Sequence, residues 1–287
     1  GTAKATYNTT SGDNSGNALG ITNELNFTAA GEMDNGFTWS YSMELDPSTT
    51  GSGQANNDDT QITLGMNDLG TMKFCVSECS NSKKYAWDNS AYTTITDTSL
   101  SSGIVYPINE MSFASAQYHT PELPFSTTAS ISYGVPKADG QSGNTTGQLT
   151  GDSASFISVK SVPVDGLTVQ ASGYQSEPKD DGLVNQAENS GLSAAVKYAY
   201  GNFSAGIGMS HQMPASTTGV VGNATTVEEY ENRGMSIAYA VNDDLSLSIS
   251  REESEAISRE SSTDNTDVQV DSYQVAYSMG GATLSVA

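Results

Sequence analysis

Apolar and polar residues alternate without a break along the stretch Phe37-Thr38-Trp39-Ser40-Tyr41-Ser42-Met43-Glu44-Leu45. Successive side chains of a β-strand point to opposite faces of a sheet. One face of this stretch is therefore aromatic and aliphatic, and the other carries Thr, Ser and Glu. The stretch predicts a β-strand that separates an apolar medium from water.

The same alternation recurs along the whole chain. It is clearest in residues 21–29, 71–76, 128–135, 192–198, 203–210, 235–240, 245–250 and 272–279. Alternating segments of about ten residues are typical of tilted transmembrane strands, and no run of ~18 apolar residues offers a transmembrane helix. A soluble β-sandwich or barrel would show Lys and Glu on its solvent face, whereas the polar face here is mostly Ser, Thr, Gly and Ala. A β-solenoid would need a fixed short repeat, which is not found.

The connections between these segments alternate in length. The tight ones are 30–36, 67–68, 163–166, 201–202, 241–244 and 280–281, where Asn, Asp and Gly supply the backbone conformations of hairpin turns. The long ones are polar and acidic: 9–18, 46–58, 77–105, 136–151, 176–190, 211–228 and 252–267. Short turns at one end and long loops at the other are characteristic of outer-membrane barrels, with the short turns facing the periplasm.

The fold class predicted is all-β, a transmembrane antiparallel β-barrel occupying residues 1–287 as one domain. About fifteen strands can be counted, and membrane barrels of this kind have even numbers, so we expect sixteen, with the first and last strands incomplete in this sequence. A barrel of this size leaves an aqueous channel and not a packed interior.

The chain is strongly acidic, with a formal net charge of −22 from 33 acidic and 11 basic residues. This charge excludes a nucleic-acid-binding protein, which needs a basic face. Most of the acids lie in the long connections, and we consider Ca²⁺ or Mg²⁺ binding at Glu252, Glu253 and Glu255, beside anionic lipopolysaccharide. The alternative is a mobile, solvated loop surface. No other cofactor is expected.

Two stretches resemble general diffusion porins of Gram-negative bacteria. Residues 62–74 (ITLGMNDLGTMKF) are similar to the strand, tight turn and strand that precede the constriction loop in that family, and residues 117–125 (QYHTPELPF) resemble its Tyr-x-Ser-Pro turn. The resemblance implies a sixteen-stranded homotrimer in the outer membrane, in contact with lipid and lipopolysaccharide, that passes small hydrophilic solutes. It also implies a third loop, here residues 77–103, folded inward to narrow the pore. Porins commonly end in an aromatic residue, whereas this chain ends in Ala287.

Strand parity assigns a set of charged residues to the lumen. They are Lys4, Glu24, Glu44, Lys73, Lys160, Lys197 and Asp271. In a confined pore such charges act on passing ions, although each is equally consistent with a solvated wall residue without effect. The presumed constriction loop adds Glu78, Lys83, Lys84, Asp88 and Asp97. By resemblance, Glu78 or Asp88 is expected to face Lys4 and Lys73 across the pore.

The two cysteines, Cys75 and Cys79, form a poor zinc site because no further Cys or His lies near them in sequence. They are candidates for a disulfide in an oxidising compartment, with free thiols as the alternative. Neither His119 nor His211 has a motif partner, so the sequence predicts a channel and not an enzyme. A substrate-specific channel and an adhesive surface protein remain as alternatives.

Overall fold

The structure is a computed structural model of the 287-residue chain. It describes residues 2–10, 16–47, 55–76, 114–135, 151–178, 189–213, 227–258, 265–280 and 282–286.

The described residues are almost entirely β-structure, with one short 3-10 helix at Asn67–Leu69. The strands are β1 (Thr2–Thr10), β2 (Gly16–Glu32), β3 (Thr38–Pro47), β4 (Ala55–Gly65), β5 (Thr71–Val76), β6 (Ala114–His119), β7 (Thr128–Val135), β8 (Gly151–Val164), β9 (Leu167–Pro178), β10 (Asn189–Tyr200), β11 (Phe203–Met213), β12 (Val227–Ala240), β13 (Leu245–Ser258), β14 (Thr266–Met279) and β15 (Ala282–Val286).

Each strand pairs with the next one along the chain, in the order β1 to β15, and every pairing is antiparallel. Strand β2 is long enough to pair with β1 through its first half, up to Glu24, and with β3 through its second half, from Leu25. Strands β2 to β15 therefore form a continuous fourteen-strand sheet, and β1 extends it to fifteen. This up-and-down order confirms the predicted all-β, antiparallel class.

The burial of side chains is inverted relative to a water-soluble protein. In β10, for example, Leu192 is 67% exposed, whereas the adjacent Ser193 is 7% exposed. The same alternation, with exposed apolar and buried small polar residues, runs through β7 to β14. We call the two sides the apolar face and the polar face. So large an exposed apolar surface is unfavourable in water, which indicates that the apolar face contacts lipid.

The short connections lie where the sequence predicts them. Gly36, Gly166, Gly201 and Gly280 adopt positive φ values of 79°, 76°, 56° and 53° in these turns. Glycine reaches such values without steric strain because it has no Cβ. In the β12–β13 turn, the side-chain oxygen of Asn242 accepts hydrogen bonds from the backbone N–H groups of Asp244 and Leu245, at 2.9 and 2.8 Å.

Two details of the sequence prediction are wrong. Sixteen strands were expected from the even numbers found in membrane barrels, whereas the described residues form the fifteen given above. The acidic segments 211–228 and 252–267 are also not loops along their whole length. Strand β11 continues to Met213, β12 begins at Val227 and β13 continues to Ser258, because backbone pairing continues beyond the point where apolar alternation stops.

Candidate pore wall

A continuous row of small polar side chains, six serines and one asparagine, crosses the polar face. Cross-strand pairing places its members side by side on seven consecutive strands, β7 to β13. We call this set the hydroxyl row: Ser130, Ser158, Ser172, Ser193, Ser210, Asn232 and Ser254. Directly opposite residues in a sheet lie close enough to hydrogen-bond through short side chains. The strand register therefore aligns residues that are far apart in sequence into one uncharged polar band, which faces away from lipid.

Hydrogen bonds link neighbours within the hydroxyl row. The hydroxyls of Ser130 and Ser158 lie 2.9 Å apart, and those of Ser172 and Ser193 are also hydrogen-bonded. The Asn232 amide nitrogen donates to the Ser210 hydroxyl at 2.9 Å. Because a hydroxyl both donates and accepts, neighbouring members of the row can satisfy one another across the strands.

Next to the hydroxyl row, the polar face carries a small group of larger side chains. Phe156 and Tyr174, opposite each other on β8 and β9, stack with ring centroids 5.9 Å apart. On β6, Gln117 is almost fully buried and its amide nitrogen donates to the Ser115 hydroxyl at 3.1 Å. The polar face is therefore not an open surface at this level, since even its aromatic rings are covered.

Three of the lysines predicted to line the pore lie on the polar face. Lys73 on β5 is opposite Gln117, Lys160 on β8 is opposite Gln170, and Lys197 on β10 is opposite Gly206. Glu24 and Glu44 share this face too, on β2 and β3. Their influence on passing ions stays a prediction. Lys4 is in β1, opposite Thr22, and its side chain lies outside the described part.

The assignment of Asp271 to the lumen is wrong. Asp271 shares its parity with Tyr273, which is 71% exposed on the apolar face, whereas Ser272 and Gln274 are buried on the polar face. On the apolar face Asp271 accepts hydrogen bonds from Arg251, at 2.6 Å from Nε and 3.0 Å from Nη2. The two-point contact follows from the planar fork of the guanidinium. The unbroken run of apolar residues on this face ends next to the ion pair, at Ile249 on β13 and Tyr273 on β14.

The predicted Ca²⁺ or Mg²⁺ site at Glu252, Glu253 and Glu255 is not supported as one site. The three residues belong to strand β13, where successive side chains alternate faces. Glu252 is buried on the polar face, while Glu253 and Glu255 lie on the other face and are partly exposed. Within the described ranges, no group of three or more His, Cys, Asp or Glu residues could hold a metal ion.

The presumed constriction loop, residues 77–103, lies outside the described residues. Its predicted site residues Glu78, Lys83, Lys84, Asp88 and Asp97 therefore stay predictions, and so does the inward fold of the loop. Cys75 is buried on the polar face of β5 and is disulfide-bonded. Cys79, the other cysteine of the chain, is also outside the described part.

Both histidines have side-chain partners that the sequence did not suggest. His211 Nε2 lies 2.7 Å from an oxygen of Glu229 on the neighbouring strand β12, and His119 Nε2 lies 2.9 Å from the Gln117 amide oxygen. The described residues also contain no helix long and apolar enough to cross a membrane.

Comparison with known proteins agrees with these two faces. A family model described as Gram-negative porin matches residues 1–287, which is the whole chain. The chain belongs to the Gram-negative porin family. This porin therefore resides in the outer membrane and is a channel for passive diffusion of small solutes.

Solved porins share the fold of this porin at low sequence identity. It is similar to a porin refined at 1.8 Å, with 14% identity, a TM-score of 0.65, and coverage of 99% of this chain and 90% of that one. It is also similar to OmpF of Salmonella typhi, solved with daunomycin, with 16% identity, a TM-score of 0.68, and coverage of 97% and 84%. An anion-selective porin from Comamonas acidovorans has 10% identity, a TM-score of 0.65, and coverage of 99% and 84%. No curated protein matches the sequence.

Proposed function

We propose that this porin is a general diffusion channel whose sheet closes into a barrel around a water-filled pore. The observation that carries the proposal is the composition of the polar face, where hydroxyl and amide groups form a continuous band and charged residues are few. A wall of this kind replaces part of the water around a hydrophilic solute without a strong charge barrier. The channel acts without catalytic chemistry, and gradients alone drive the flow.

The proposal includes the assembly expected from the family resemblance, a homotrimer in contact with lipid and lipopolysaccharide, with residues 77–103 folded inward. The mass of the native complex, measured in detergent by light scattering, tests the trimer. The expected value is three times the chain mass of 30.0 kDa after subtraction of bound detergent. A monomeric mass that persists in mild detergents would contradict the assembly without contradicting the channel.

Recordings across planar lipid bilayers test the channel. Purified protein is expected to insert in steps of large conductance, with weak discrimination between anions and cations. A current that a particular sugar or amino acid blocks at low concentration would instead indicate a substrate-specific channel. Absence of any conductance from correctly folded protein would contradict the proposal and favour a structural or adhesive surface protein.

A further inference from the structure

Three side chains that end in N–H groups lie together on the polar face of β8, β9 and β10. Cross-strand pairing places Lys160 on β8 directly opposite Gln170 on β9. Lys197 on β10 is directly opposite Thr168, so it is the diagonal neighbour of Gln170 on the other side. Diagonal neighbours on one face are typically about 7–8 Å apart, within reach of long side chains. Both lysines can therefore bring their ammonium groups to the amide of Gln170.

None of these donors has an acceptor among the described residues. The amide nitrogen of Gln170 is buried without a hydrogen-bond partner, and the residue is 5% exposed. Neither Lys160 nor Lys197 forms an ion pair or a hydrogen bond with a described residue. Buried donors in folded proteins nearly always have an acceptor, so this group calls for one that the described strands do not supply.

The two ammonium groups are accessible, which an ion-binding site requires. Lys160 is exposed and Lys197 is half-buried, so water reaches both side chains. The amide of Gln170 lies at the base of the wall between them. Because the four-carbon stem of lysine is flexible, the two ammonium groups can move towards an ion held over the amide.

The surrounding charges favour an anion. The acids of β8 and β9, Asp152 and Glu177, lie at the far ends of those strands, and β10 has none. The acid nearest to Lys160 in sequence, Asp165, is in the exposed β8–β9 turn. The group therefore places two positive charges near the short turns, away from the acidic long connections. Like charges held close together repel each other, and an anion between them removes that repulsion.

We propose that Lys160, Gln170 and Lys197 form a weak binding site for a small oxyanion, such as inorganic phosphate, on the pore wall near the short turns. The inference rests on the proposed channel function and names a class of solute that the wall retains. Lysine ammonium groups bind phosphate as point charges, and the amide adds a directed hydrogen bond. Two accessible lysines hold the ion loosely enough to release it, as conduction requires.

The experiment measures how inorganic phosphate reduces the KCl current of single channels in planar bilayers, at constant pH and ionic strength. Lys160→Gln and Lys197→Gln are each expected to raise the half-blocking concentration of phosphate about fivefold, the factor for one unit charge about 4 Å from an ion in water. Gln170→Met removes the amide donor without changing the charge. It should also raise that concentration about fivefold, as expected for the loss of one net hydrogen bond.

Two control variants make the same kinds of change outside the site. Arg233→Gln removes one positive charge from the apolar face, and Gln212→Met replaces a buried glutamine on the polar face of β11. Both should leave the phosphate block unchanged, and Lys160→Arg should retain it. Circular dichroism establishes that each variant is folded. Unchanged block in the folded site variants, or an equal loss of block in the controls, would overturn the site while the channel stands.

Phosphate binding is also measured without conduction, from the broadening of the phosphorus NMR signal when protein in detergent is added. The broadening should be lost in the double variant Lys160→Gln/Lys197→Gln. Such broadening in a wild-type protein that does not conduct would refute the channel and keep the site. Equal broadening by the wild type and the double variant, or none by either, would overturn the site.

Discussion

Replacement of Val196 by lysine tests whether the apolar face contacts lipid. Val196 is near the middle of β10, 41% exposed, and its cross-strand neighbours Val169 and Ile207 are 40% and 58% exposed. In a soluble protein, a lysine at so exposed a position would be nearly neutral. In a bilayer, it places a charge in hydrocarbon.

The expected cost follows from the place of Val196 in the strand. Lysine on the lipid face of a membrane barrel costs about 2–4 kcal/mol at the bilayer midplane and about 0–1 kcal/mol near its edges. The end of the strand at Tyr200 is four residues away, or about 13 Å at roughly 3.3 Å per residue. A lysine side chain is too short to place its ammonium group in water over that distance, although it relieves part of the cost by bending towards the edge. We therefore expect Val196→Lys to lower the free energy of unfolding by about 2–3 kcal/mol.

The adjacent residue supplies a control with the same composition. Lys197 is a natural lysine on the polar face. The double variant Val196→Lys/Lys197→Val keeps every residue type and the net charge but exchanges the two faces. It should be at least as unstable as Val196→Lys, whereas Val196→Leu should stay within about 0.5 kcal/mol of the wild type.

Urea titration of protein folded into phospholipid vesicles, followed by tryptophan fluorescence, measures these free energies. The chain has two tryptophans as reporters. The reasoning is refuted if Val196→Lys costs less than about 0.5 kcal/mol. It is also refuted if the exchanged pair is as stable as the wild type, because the two faces would then contact similar media.

Three further outcomes are expected. Gly191→Ala should destabilise the vesicle-folded protein by about 1–3 kcal/mol in the same titration, because the added Cβ would lie 2.5 Å from Cε1 of the buried Tyr174 ring and 2.9 Å from the backbone oxygen of His211. Arg251→Gln should lower the melting temperature in low salt but have little effect in 1 M NaCl, because its pair with Asp271 is partly exposed and salt screens such pairs. Peptide mapping by mass spectrometry without reductant should recover Cys75 in a disulfide-linked peptide, and a free thiol there would contradict the structure.

A matched control separates the Gly191 effect from the general effect of replacing glycine. At Gly173 an added Cβ would meet the terminal methyl of Leu192 at 2.8 Å, and that methyl belongs to a flexible side chain on the apolar face. Gly173→Ala should therefore cost less than Gly191→Ala. Equal costs would mean that contact with the Tyr174 ring and the His211 backbone is not the cause.

The alternation of residue types was sufficient to predict the class of fold and the two faces, because membrane and water impose opposite requirements on adjacent residues of a strand. The prediction failed at the strand ends, where apolar and polar residues no longer alternate. Glu253 and Glu255 were predicted to lie in a loop because charged residues appear on both faces of this part of the chain. The backbone of β13 nevertheless continues to pair there. The error at Asp271 has a different origin. Asp271 shares its parity with Tyr273, so strand parity, applied correctly, places it on the apolar face.

Register could not be predicted from the sequence, and the most specific parts of the pore wall depend on it. The hydroxyl row forms because seven strands align their polar residues at one level, for example Ser193 with Ser172 and Ser210. No local pattern distinguishes these serines from others on the polar face. The position of Lys160 opposite Gln170 also depends on the pairing of β8 with β9 and not on either strand alone.

The exposure of the apolar face also bears on how this protein evolves. A packed core constrains each residue by the shape of its neighbours, whereas fluid acyl chains accept any apolar side chain of suitable size. Many strand positions in this porin, such as Ile207 and Tyr273, have large exposed areas on that face. Mutation can exchange such residues freely as long as they stay apolar. The fold is shared with solved porins at identities of 10% and 16%.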